Sequence, residues 1–123
     1  MNIGSESGAV LAHLRLTVSD LSESVSFFEV IGAREDVRRD KFAVVEFRDR
    51  TRLQLTQLEQ EFPAINPLQF DFKVEDIDAT WRDYIAKGLT PGDIKRQTPG
   101  HDSFIVTGPD ACEVKINSGY KKN

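Results

Sequence analysis

Residues 13–21, His13-Leu14-Arg15-Leu16-Thr17-Val18-Ser19-Asp20-Leu21, return in altered form as residues 69–77, Gln69-Phe70-Asp71-Phe72-Lys73-Val74-Glu75-Asp76-Ile77. One offset of 56 sets Val18 over Val74, Asp20 over Asp76 and Leu21 over Ile77. Carried further, it sets Phe28 over Tyr84 and Gly32 over Gly88. Each match is weak alone, but their common order on one offset marks an internal repeat. Both copies open with strict alternation: Leu14, Leu16 and Val18 fall on one face, and His13, Arg15 and Thr17 on the other. Phe70, Phe72 and Val74 oppose Gln69, Asp71 and Lys73 in the same way. A period of two predicts a strand with one covered face.

The polar step after each strand predicts a helix. Asp20 and Asp76 stand at N-cap positions, where a carboxylate can accept from free backbone N–H groups, and Glu23 completes a capping-box spacing. Leu21, Val25, Phe28 and Ile31 then recur at helical intervals, as do Ile77, Trp81, Tyr84 and Ile85. Trp81 and Tyr84 are therefore expected to anchor the core. Gly32 and Gly88 sit where helices commonly stop. Three short strands are expected after each helix: 32–37, 42–47 and 52–58, then 89–94, 103–107 and 112–117. Asp49-Arg50 and Gly108-Pro109-Asp110 supply turns. The expected fold is α+β: two βαβββ repeats forming a mixed, cup-shaped eight-stranded sheet with helices on its outer face. One domain spans 1–123, with repeat one at about 10–58, a linker at 59–68 holding Pro63 and Pro67, and repeat two at about 69–117.

A chain of 123 residues can bury a real core, and 39% hydrophobic with 29% charged residues fits a globular protein. Its 16 basic and 20 acidic residues are interspersed, with a net charge of −4. No basic stripe stands out for phosphates, which argues against nucleic acid as a partner. No apolar run approaches the roughly 20 residues of a membrane span. Residues 1–8 lack the pattern of a secretory signal, and Cys112 is the sole cysteine, so a cytoplasmic location is expected.

The strand–helix opening at His13, with Ser24, Phe27-Phe28 and Gly32, resembles the vicinal oxygen chelate superfamily. That superfamily includes glyoxalase I, extradiol dioxygenases, fosfomycin-modifying enzymes and bleomycin-resistance proteins. Residues 100–116 are similar to its closing segment, and the resemblance runs from Ala12 to Asn117. In its enzymes, inward side chains on the first and last strands of each copy hold a divalent metal. The resemblance matches those positions to His13, Gln54, Gln69 and Lys115. Only His13 is an ordinary ligand there. Amides are weak neutral donors, and a protonated lysine has no lone pair to give. At ~4 Å and an effective dielectric near 20, an ammonium would repel a dication by roughly 8 kcal/mol. A register shifted by two would bring Glu113, on the same strand face, towards His13.

Alternation places His13, Arg15, Thr17, Gln54, Thr56, Gln69, Asp71, Lys73, Glu113 and Lys115 on the inner face, with Glu46, His101 and Ser103 as additions. Arg15 and Asp71 hold equivalent places in the two copies and are expected to pair. The expected ligand-binding set is His13, Arg15, Gln54, Gln69, Asp71, Lys73, Glu113 and Lys115, with no metal and no cofactor. Its basic members would meet a carboxylate or phosphate. Cys112 has no base beside it and is not expected to be a nucleophile. Within the superfamily, the metal-free bleomycin-resistance type is nearest, which implies a homodimer that holds a small molecule without reacting with it. Two alternatives remain. One is a metal-dependent lyase, isomerase or dioxygenase with a divalent ion on His13, Gln54, Gln69 and Glu113. The other is a non-catalytic partner domain.

Overall fold

The computed structural model describes residues 8–9, 11–58, 69–97 and 101–118. In chain order the elements are β1 (Leu14–Val18), α1 (Leu21–Ile31), β2 (Arg34–Arg38), β3 (Phe42–Glu46), β4 (Arg52–Gln57), β5 (Phe70–Lys73), α2 (Ile77–Ala86), β6 (Ser103–Thr107) and β7 (Glu113–Asn117). A short 3-10 turn, Pro109–Ala111, precedes β7. The offset of 56 therefore carries β1 onto β5 and α1 onto α2. Asp20 accepts from the Glu23 amide and Asp76 from the Ala79 amide, each at 3.0 Å, so both helices start where the sequence places their caps. Gly32 takes φ +130° at the end of α1, a conformation that costs least in glycine.

The fold is the mixed α+β, cup-shaped arrangement of βαβββ-type units, carried by two sheets. The first runs β1-β4-β3-β2 and the second β5-β7-β6. In each, the opening strand lies parallel to the closing one, with Arg15 level with Gln54 and Asp71 level with Lys115. The strand expected over 89–94 does not form, leaving seven described strands rather than eight. Pro91 has no N–H to give a ladder. What remains is an edge strap: Gly92 N donates to the Ile105 carbonyl (2.8 Å), and Lys95 exchanges two bonds with Ser103. The linker at 59–68 lies outside the described residues.

Both repeats feed one apolar core. Ala43, Val45, Leu53, Leu55, Val114 and Ile116 are fully buried on the covered sheet faces. The repeats meet through their helix-bearing sides. Phe28 of α1 packs edge-on against Phe70 of β5, with ring centres 5.4 Å apart, and the Tyr84 hydroxyl of α2 donates to the Ile31 carbonyl. Ser19, just past β1, donates through its backbone N and its hydroxyl to Asp110 of the second repeat.

Candidate functional site

The alternation that buries Leu16, Val18, Phe70, Val114 and Ile116 turns the opposite side chains outward. On the open face of the first sheet, Arg15 and Thr17 are exposed, while His13, Gln54 and Thr56 are half-buried. On the second, Gln69, Asp71, Lys73, Glu113 and Lys115 are all exposed. The expected Arg15–Asp71 ion pair is absent. The Arg15 Nε–H donates to His13 Nε2 at 3.4 Å, and Asp71 accepts from the Asn117 side-chain amide across its own sheet. The two groups stand on separate sheets. Glu46 is held by Arg34 at 2.7 Å, Ser103 is buried and His101 is half-buried.

The register bears on the metal positions that the family implies. Lys115 stands level with Asp71 as Gln54 stands level with Arg15, and the repeat carries Arg15 onto Asp71. Lys115 is therefore the counterpart of Gln54, and Glu113 lies one pleat earlier, level with Thr107. The resulting set is one imidazole, two amides and one ammonium, which does not fit a divalent transition metal. Among the described residues, no three His, Cys, Asp or Glu side chains gather to hold an ion.

Among the described residues, concave space lies beside β5. A cleft of about 1000 Å³ runs beside β5, between α2 and the first repeat. Its aromatic wall is Phe47, Phe70, Phe72 and Tyr84, and Leu14 and Ile31 add aliphatic surface. The rings are coupled: Phe70 and Phe72 lie parallel at 5.9 Å, and Phe72 meets Phe47 at 4.9 Å. The Phe28–Phe70 contact continues the series into the core, so the wall is held by packing on one side and open on the other. Burial, helped by the Asp83 charge, pushes the Tyr84 hydroxyl up to about 12, so it is a neutral phenol at physiological pH. The polar members include Asp71 and Lys73 on β5 and Thr80 on α2. A smaller recess of about 340 Å³ adjoins it, sharing Gln69, Phe70 and Asp71 and adding Ile105, Glu113 and Lys115.

Of the residues expected to line the cup, Gln69, Asp71 and Lys73 reach the cleft, while Glu113 and Lys115 reach the recess. His13, Arg15 and Gln54 line neither. Phe47, Phe72 and Tyr84 carry the cleft and were not in the expected set, because alternation assigns them to the covered side without showing where that cover ends. Cys112 is buried, and burial together with Asp110 pushes its thiol up to about 11, the opposite of what a nucleophile needs.

Two βαβββ-type units, each with its opening strand parallel to its closing one, define the fold class. Its family follows from comparison. Residues 10–116 match the model of the Glyoxalase/Bleomycin resistance protein/Dioxygenase superfamily, and the chain belongs to that superfamily. The sequence finds no match among curated proteins. Solved structures share the fold at low identity. The bleomycin resistance determinant encoded on transposon Tn5 is 14% identical, with TM-score 0.71 over 90% of this chain and 98% of that one. A glyoxylase/bleomycin resistance protein/dioxygenase domain from Frankia sp. EAN1pec is 20% identical, with TM-score 0.73 over 92% and 99%. TnmS3, an antibiotic binding protein from Streptomyces sp. CB03234, is 19% identical, with TM-score 0.69 over 91% and 98%.

Proposed function

We propose that this chain binds a small organic molecule in the cleft beside β5, without a metal and without chemistry on the ligand. The observation that carries this reading is the aromatic-walled cleft of about 1000 Å³, a volume at the upper end for small-molecule sites. Gln69, Asp71 and Lys73 would orient the ligand, with Glu113 and Lys115 in the adjoining recess. The unsuitable donor set His13, Gln54, Gln69 and Lys115 supports the metal-free part. Relatives described as binding bleomycin or antibiotics support a role in sequestration. The test is a fluorescence titration with the neutral probe N-phenyl-1-naphthylamine, on chelator-treated protein. Ala79 is an exposed α2 residue that lines the cleft, so Ala79→Trp fills the space from outside the core. Saturable binding, weakened at least about tenfold by Ala79→Trp, is expected. Binding that ignores the variant, or that needs an added divalent ion, would sink the proposal.

The functional unit in this reading is a homodimer in a reducing cytoplasm. Val37, Phe42 and Val44 are only half-buried on the open face of the first sheet, and Ile105 is 42% exposed on the second. Among the described residues, β1 and β5 also leave one strand edge each unpaired by another strand, whereas β2 is charged and bulged and β6 carries the 92–95 strap. Uncovered apolar surface next to bare edges is what a second copy would cover.

A further inference from the structure

The charge around the cleft is unlike the charge that the sequence led one to expect. Arg15 and Lys115, which with Lys73 favoured a carboxylate or phosphate, do not line it. Five carboxylates do: Asp49, Asp71, Glu75, Asp76 and Asp83, against two cations, Arg48 and Lys73. Among the described residues only Asp83 has an ion pair, with Lys87 at 2.9 Å. Asp49 accepts from the Thr51 amide and hydroxyl, Asp76 from the Ala79 amide, and Asp71 from the Asn117 amide. Those donors are uncharged, so the three carboxylates are fixed in place without an ion pair among the described residues, Asp76 alone facing the positive end of a helix dipole. Glu75 is exposed and has no partner among the described residues. Among the described residues, four carboxylates without an ion pair thus face two such cations around an aromatic wall.

We infer that the cleft takes a protonated amine or amidinium carried on a flat apolar or aromatic body. This rests on the reading of the cleft as the ligand site and adds the chemical class of the ligand. The two halves of such a molecule match two halves of the site. The body lies against Phe72 and Phe47, which already prefer offset or tilted ring contacts. The cation gains from the ring faces and from the carboxylate rim together. An anion of the same shape would meet a net negative rim and win only Arg48 and Lys73. The Asp49 and Asp76 carboxylates are tied to a turn and a helix cap, so they need little reorganisation to receive a charge.

The experiment compares three probes of similar size on the full chain: neutral N-phenyl-1-naphthylamine, cationic proflavine and anionic 8-anilinonaphthalene-1-sulfonate. Proflavine is expected to bind about tenfold more tightly than the sulfonate. Glu75→Gln should weaken proflavine about threefold and Glu75→Lys about tenfold, a larger loss in each case than for the neutral probe. Added salt should weaken proflavine and spare the neutral probe. Glu75 is exposed and has no hydrogen bond or ion pair among the described residues, so both variants should fold. Equal or tighter binding of the sulfonate, or indifference of proflavine to Glu75→Lys, overturns the charge assignment while leaving the cleft as a binding site. Failure of all three probes overturns the binding reading itself.

Discussion

Lys115 shows how much a single position can decide. Alternation puts it on the open face, but only the pairing register makes it the counterpart of Gln54 and moves Glu113 one pleat away. Turn geometry lies behind that register: Asp110 and Ala111 both take φ +58° between β6 and β7, and spacing alone does not reveal two consecutive left-handed residues. Cys112 and Tyr84 yield a prediction at this same scale. Their folded pKa values lie above the ordinary ones, near 11 and 12. Each contribution is therefore present below the unfolded pKa, 9 for the thiol and 10 for the phenol. It is lost as pH rises through the folded value. Urea denaturation midpoints should accordingly fall between pH 9 and 12, and Cys112→Ala should flatten the lower part of that fall. The native thiol should resist iodoacetamide at pH 8 and react once urea unfolds the chain.

At the scale of elements, the opening strands, both helices and both N-caps were legible, because period-two and period-3.6 patterns and Asp caps are local signals. The second repeat's first strand after the helix was not, since Pro91 turned it into a strap held by three backbone bonds. That strap is fastened by Arg96, which pairs with Asp78 at the start of α2 and, at 3.0 Å, with the buried Asp102. The pairing with Arg96 holds the Asp78 carboxyl below its usual range. The run Phe42-Ala-Val-Val-Glu-Phe47 also carried information: apolar residues on both faces of β3 imply cover on both. The join between repeats gives a sharp test. A Cβ on Gly108 would lie 2.6 Å from the Phe27 ring of α1, closer than packing allows. Gly108→Ala should cost about 1–3 kcal/mol in chemical denaturation, because the ring must leave its site in a close-packed core.

For the whole molecule, the two-repeat fold could be read from the chain, but the position of the cleft could not. Period-two patterning says which residues are outward on each sheet; it does not say that the repeats join through Phe28, Phe70 and Tyr84, which opens a cleft beside β5 between α2 and the first repeat. The expected lining was consequently divided between the cleft, the recess and the open face that carries His13, Arg15 and Gln54. The uncovered open faces predict self-association: sedimentation should give about twice the 13.9 kDa chain mass, and a lone monomer at micromolar concentration would remove the dimer. The most direct test of the central claim is a ¹H–¹⁵N amide titration of metal-free protein with proflavine. Saturable shifts are expected at residues 47–51 and 69–76, with Arg15 and Gln54 unmoved. Shifts centred on His13, Gln54 and Lys115, or none until a divalent ion is added, would contradict it.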